Sequence, residues 1–229
     1  MLTVACVLRS GGVYGVEDVE ALERGVLRSL PLEHRFLILT DVPKEIDRGV
    51  FMGDYQVQDL PHRWPGWWSK IDLFNLEGPV LYFDLDTIVL GDIAQLARAV
   101  EALPSGRMMM LRGFYRQDRC SGILGWTGNW RWLVDDFLAA ELIPSSARPG
   151  WTVKDRGGRC HGDQEWIAAR MTDVVFAQDL APGIVSYKVD VRPSGALPKG
   201  TTIVCFHGQP KPRDVVPAPP WIDQSRKRG

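Results

Sequence analysis

Six short runs rich in apolar residues are bounded by turn residues, at 3–8, 35–40, 55–60, 79–83, 107–111 and 202–206, and several of them are apolar nearly throughout. A strand with one wet face alternates apolar and polar side chains, whereas a run apolar at nearly every position must be covered on both faces. Segments of helical periodicity fall between the runs: Val16, Val19, Leu22, Val26 and Leu30, then Ile93, Leu96, Val100 and Leu103. This alternation predicts an α/β protein with a mostly parallel central sheet flanked by helices. A short helix is expected over 67–76 and a longer one over 129–142, with Trp132, Leu133, Phe137 and Leu138 on its apolar side. The segment 145–162 is rich in Gly, Arg and Pro and reads as a long loop beside the active site.

A chain of 229 residues can bury one core without a disulfide or metal staple. With no internal repeat, the expected organisation is one domain over 1–208 and a Pro-rich basic tail over 209–229 that belongs to it or wraps it. Pro210, Pro212, Pro217, Pro219 and Pro220 bar a regular helix or central strand in that tail. A formal net charge of -1 gives no overall attraction to nucleic acid or to an acidic membrane, so an anionic ligand must be met by local basic residues or a metal. No run is long enough to span a bilayer. The apolar start lacks a basic leader and meets Arg9 early, so it reads as a strand rather than a signal peptide. Cys6, Cys120, Cys160 and Cys205 are far apart, and the first and last sit in apolar runs, which fits free thiols in the cytoplasm. Nothing in the sequence sets the oligomeric state.

The sharpest local feature is Val80-Leu81-Tyr82-Phe83-Asp84-Leu85-Asp86-Thr87, two carboxylates one residue apart at the end of an apolar strand. Sites of α/β proteins lie beyond strand C-termini. Hard oxygen ligands of this kind suit Mn2+ or Mg2+, with the oxygens of a diphosphate completing the shell. The bland reading is that Asp86 caps the next turn and Asp84 bonds to the loop. The same pattern also resembles the first motif of haloacid-dehalogenase-type phosphatases, in which Asp84 is the nucleophile and Asp86 its acid/base partner. That motif usually opens its chain, whereas here a third of the sequence precedes it.

A second feature is Cys205-Phe206-His207-Gly208-Gln209-Pro210-Lys211-Pro212, where an apolar strand ends in an imidazole with a lysine four residues on. Histidine offers a further metal ligand, Lys211 a point charge for phosphate, and Gly208 room for close backbone approach. Alone, a histidine at a strand end more often serves structure.

Together these two segments resemble glycosyltransferase family 8, the glycogenin and bacterial galactosyltransferase group of GT-A fold. Cys120-Ser121-Gly122 and Gly162-Asp163-Gln164 stand where that family has an Asn-Ser-Gly strand and an Asp-Gln pair, and Lys70 where it has a basic residue that reaches the donor. The resemblance implies a hexose transferred from a nucleoside-diphosphate sugar, UDP by the family's habit, to a glycan, protein or small-molecule acceptor with retained configuration. It implies that Asp84, Asp86 and His207 bind Mn2+ (or Mg2+) and that Lys211 and Gly208 touch the diphosphate. Lys70 would contact phosphate or sugar; Leu8, Arg9 and Tyr14 would hold the nucleoside, alongside Leu85. Ser121 would lie under the transferred sugar, and Asp163 or Gln164 would steady the charge at its anomeric carbon. Two departures touch the donor pocket: Cys120 replaces the family's Asn, and Arg213 its tryptophan after Lys-Pro. A sugar-nucleotide binding protein without turnover is the remaining alternative.

Trp64, Trp67, Trp68, Trp126, Trp130 and Trp132 invite a sugar-stacking role, but their spacing reads as core. Arg156, Arg159 and His161 could form a lid, with a solvated basic loop as the plainer reading.

Overall fold

The structure, a computed structural model, describes residues 1–144, 151–155 and 158–222. The chain runs through β1 (Leu2–Leu8), α1 (Val16–Ser29), β2 (His34–Thr40), α2 (Pro43–Ile46) and β3 (Tyr55–Asp59) to a 3-10 helix, Gly66–Asn75. Next come β4 (Val80–Phe83), β5 (Thr87–Val89), α3 (Ala94–Glu101), β6 (Met108–Arg112), β7 (Arg119–Trp126), α4 (Arg131–Leu138) and β8 (Glu141–Pro144). The last part holds β9 (Trp151–Asp155), β10 (Gly158–Cys160), α5 (Asp163–Arg170), β11 (Val174–Phe176), α6 (Ala177–Leu180), β12 (Ile184–Ser186) and β13 (Ile203–Cys205).

Seven strands form the main sheet in the order β11-β6-β7-β4-β1-β2-β3. β7 is antiparallel to both its neighbours, and the remaining pairings are parallel. The uniformly apolar runs are explained by cover on both faces. Leu2, Val4, Cys6 and Leu8 of β1 pack against α1 and α3. Ala5 on the opposite face joins Leu37, Leu39, the 3-10 helix and α4. Each fully buried Leu, Ile or Phe stabilises this arrangement by roughly 1.5–3 kcal/mol relative to exposure. At the start of α1, the Asp18 carboxylate accepts the Gly15 N–H at 3.0 Å, beside the acidic Glu17, which suits the positive end of the helix. Gly25 lets α1 lie directly on β5, because a Cβ there would stand 2.9 Å from the Val89 carbonyl oxygen.

All six apolar runs are strands, with ends within one residue of expectation. β13, however, leaves the main sheet and lies between β12 and β5 in a small sheet, antiparallel to β5 with Cys205 opposite Thr87. The helix expected over 129–142 stops at Leu138, and Glu141–Pro144 pairs with β9 instead. The expected long loop over 145–162 contains β9 and β10, whose short runs are masked in the sequence by flanking Gly, Arg and Pro; Arg156 lies outside the described residues. Val153 of β9 is buried in the core around α4, which is what holds this hairpin down. In the tail, Ile222 packs with Val191, Val204 and Phe206, and Arg213 reaches Asp18 at 2.5 Å. None of the four cysteines forms a disulfide among the described residues. Among the described residues, no helix is long and apolar enough to cross a membrane.

Candidate active site

β4 ends at Phe83 on the edge of the sheet where its parallel strands terminate, and the chain turns through Asp84, Leu85 and Asp86 into β5. The turn is fixed by the Thr87 N–H on the Asp84 carbonyl (3.0 Å) and by the Asp84 N–H on the Gly122 carbonyl of β7 (2.9 Å). The pairing of β5 with β13 then brings the two sequence motifs together, with the Phe206 N–H on the Asp86 carbonyl at 3.1 Å. His207, Gly208 and Lys211 follow directly.

Two lysines meet the two aspartates. Lys70, buried on the 3-10 helix, places its Nζ 2.8 Å from Asp84 Oδ1, 2.8 Å from Asp163 Oδ2 and 3.1 Å from Ser121 Oγ. The Ser121 hydroxyl donates to Asp163 Oδ2 at 2.7 Å, and the Tyr82 hydroxyl to Asp84 Oδ1 at 2.5 Å. Lys211 Nζ lies 2.7 Å from Asp86 Oδ2, which also accepts the Tyr14 hydroxyl at 2.8 Å. Each of the three carboxylates thus spends one oxygen on cations and hydroxyls and keeps the other free of partners among the described residues.

Burial by itself would lower the Lys70 ammonium, but the charges of Asp163 and Asp84 outweigh it and its pKa is raised. Tyr14 and Tyr82 are pushed up by burial and by these carboxylates, so both phenols stay protonated and donate. Asp86 is raised, first by burial and then by the like charge of Asp84, with Lys211 and Tyr14 pulling the other way. Burial lowers His207, and the charges of Lys188 and Lys211 add to the effect, which favours the neutral imidazole that can act as a ligand. Burial and Asp118 push the Cys120 thiol up to about 12, so it is protonated at neutral pH.

The free oxygens of Asp84 and Asp86 are hard donors that fit Mg2+ or Mn2+ arriving with phosphate and water oxygens. Among the described residues, no three His, Cys, Asp or Glu side chains are gathered as a ready-made cage. His207 Nε2 is 2.8 Å from Ser186 Oγ, and its ring stacks on Phe114 at 5.6 Å. Among the described residues the second ring nitrogen has no hydrogen-bond partner, the arrangement by which an outer hydrogen bond orients a ligating imidazole.

The other expected site residues are dispersed. Leu8 and Leu85 are buried in the core, so only their backbone can serve a ligand. Arg9 is committed to Asp41 through a short ion pair and to the Trp64 carbonyl at 3.1 Å. Gly208 has φ +67, a conformation that favours glycine. Gln164 diverges from Asp163 and lines a cavity of about 510 Å³ with Gln117, Asp118, Arg119, Glu165 and Thr172. Arg159 and His161 are exposed, and the His161 N–H bonds to Glu165 at 2.8 Å. Trp68, Trp126 and Trp130 are core, Trp64 is half-buried, and Trp67 and Trp132 are exposed, at 50% and 47%. Sequence reasoning missed Tyr82, Ser186 and Lys188. Tyr82 lies within the recognised strand, two residues before Asp84, and that spacing could have flagged it. Ser186 and Lys188 reach the site only by tertiary folding.

No family model matches the chain, and no curated relative matches it. Solved structures do. The glycosyltransferase GlyE of Streptococcus pneumoniae TIGR4 superposes with a TM-score of 0.66 at 16% identity over 99% of this chain. The galactosyltransferase LgtC, solved with donor and acceptor sugar analogs, superposes at 0.62 with 11% identity over 98% of this chain and 95% of its own. This chain spans 60% of the length of GlyE. The architecture is therefore the GT-A fold, an α/β domain built on a mostly parallel sheet.

Proposed function

We propose that the chain is a metal-dependent glycosyltransferase that moves a hexose from a nucleoside-diphosphate sugar, a UDP-sugar by family resemblance, to a hydroxyl acceptor with retention. The observation that carries this reading is the meeting of Asp84, Asp86, Lys70, Lys211 and Asp163 at the strand ends of a GT-A fold. Cleaving a glycosyl phosphate leaves negative charge on the diphosphate, and groups that bind this charge more strongly as it grows raise the rate as well as the affinity. A divalent cation held by Asp84, Asp86 and His207 would supply Lewis-acid stabilisation to that leaving group. Lys211, paired with Asp86 at 2.7 Å, would be available to phosphate if Asp86 held a cation. Lys70, held between Asp84 and Asp163, orients both carboxylates, and the free oxygen of Asp163 is available to sugar hydroxyls or to positive charge at the anomeric carbon. Tyr14 presents its hydroxyl beside Asp86 and its ring to the Lys211 ammonium, 5.0 Å from the ring centre. Asp84 and Asp86 act as ligands and not as bases. Gln164, which lines the neighbouring cavity, is the alternative to Asp163 for the role at the anomeric carbon.

The direct test is hydrolysis and transfer with UDP-sugars and GDP-sugars, in Mn2+ and in EDTA, beside a simple phosphate monoester. Nucleotide release that needs Mn2+ and is lost in Asp84→Asn supports the reading. Monoester hydrolysis without sugar-nucleotide turnover would replace it with a phosphatase, and binding without turnover with a non-catalytic binding protein.

A further inference from the structure

Beside His207 stands a third lysine that neither motif contains. Lys188 lies on a one-turn π-helix, Tyr187–Val191, immediately after β12. Its base is rigidly held: Tyr187 stacks on Phe206 at 4.3 Å, the Ser186 N–H bonds to the Asp190 carboxylate at 2.7 Å, and Ser186 Oγ accepts the Val189 N–H at 3.1 Å. Ser186 Oγ also meets His207 Nε2, so the turn is tied to the strand end that carries His207 and Gly208. From this base the half-buried Lys188 side chain reaches over Gly208, with Nζ 3.3 Å from the position a Cβ on Gly208 would take. Any side chain at 208 would crowd the ammonium. The charges of Lys188 and Lys211 both bear on the His207 imidazole and help to keep it neutral.

Their pairing differs. Lys211 has Asp86, whereas Lys188 has no carboxylate within ion-pair distance among the described residues, the nearby Asp190 being spent on its own turn. A half-buried cation without a counter-ion, held over an open glycine backbone, is an anion subsite awaiting its charge.

We propose that Lys188 binds the distal phosphate of the nucleoside diphosphate and makes the site select diphosphates over monophosphates. This rests on the donor reading above. It assigns the phosphate next to the sugar to Lys188 and Gly208.

Calorimetric titration of UDP, UMP and inorganic pyrophosphate, with Mn2+ present, into wild type, Lys188→Ala and Lys188→Arg tests it. UDP and pyrophosphate should weaken about tenfold in Lys188→Ala, as one charged hydrogen bond is lost, with UMP changed less than twofold and Lys188→Arg recovering part of the loss. Equal UDP affinity in wild type and Lys188→Ala overturns the proposal and leaves the donor reading standing. So does an equal loss for UDP and UMP, which would mark a general disturbance of the loop. Failure of wild type to bind UDP or pyrophosphate overturns both.

Discussion

Two charge clusters sit at the same edge of the main sheet, one beyond β1 and β2 and one beyond β4. In the first, both oxygens of Asp41 are filled: Oδ1 accepts the Ser10 N–H at 2.8 Å, and Oδ2 takes the Ser10 hydroxyl at 2.5 Å and the Arg9 guanidinium. In the second, Asp84, Asp86 and Asp163 each keep an oxygen free of partners among the described residues, and both cations that serve them, Lys70 and Lys211, are lysines. The electrostatics diverge in the same way. Burial opposes the Asp41 charge, but its bonds to Ser10 and Arg9 prevail and hold the carboxyl below its ordinary 3.8. Asp86 is pushed up, because burial and Asp84 outweigh Lys211 and Tyr14. A saturated cluster stabilises the fold, whereas a cluster with valences left over holds like charges together at a cost that a ligand can offset.

The sharpest way to break this contrast is to remove charge from the second cluster. Asp84→Asn or Asp86→Asn should lower sugar-nucleotide turnover on the order of 10³-fold, the scale of several kcal/mol expected when a leaving-group cation loses its ligand. Lys211→Ala should cost about 10²-fold in kcat/KM, read in the same assay. On stability the order reverses. Asp41→Asn should cost about 1–3 kcal/mol in chemical denaturation, because the Arg9 and Ser10 bonds to a charged acceptor go together. Asp86→Asn, measured without metal, should cost less than about 0.5 kcal/mol or be stabilising, since it relieves a buried like-charge contact. A larger loss for Asp86→Asn than for Asp41→Asn would erase the distinction.

The pH dependence follows from the sign at Asp41. A carboxyl whose folded pKa is depressed contributes its stability above the unfolded value and loses it as pH falls through the lowered folded value. The stability gap between wild type and Asp41→Asn should therefore be full at neutral pH and shrink below pH 3.8. A gap that stays constant into acid would show that the Asp41 charge does not matter. The smallest expected effect is Trp67→Ala, an exposed ring whose loss should change stability by within about 0.5 kcal/mol, whereas Trp68→Ala, next in sequence and buried, should cost about 3–5 kcal/mol.

The strands of the parallel sheet were legible because burial on both faces leaves an unbroken apolar run, as in 35–40 and 79–83. β7 was visible only through its resemblance to a family motif, since Arg119, Ser121, Gly122 and Gly125 interrupt its apolar pattern although it is central. β5 and β12 are three residues long and carry too little periodicity to separate from a loop. Of the site, the residues that follow strand ends in chain order were readable: Asp84, Asp86, His207 and Lys211. Lys188 was not, because its meaning comes from the β12 to β13 pairing that sets its turn beside Gly208. Asp41 follows the end of β2 as Asp84 follows β4, and position alone does not tell a saturated carboxylate from one with an oxygen to spare.

The most direct measurement is calorimetric titration of UDP into wild type and His207→Ala, each in Mn2+ and in EDTA. Binding in Mn2+ that disappears in EDTA, and falls at least tenfold in His207→Ala, is the outcome expected if His207 completes the site opened by Asp84 and Asp86. UDP binding of equal strength with and without Mn2+, or none at all, would contradict a donor site built on that carboxylate pair.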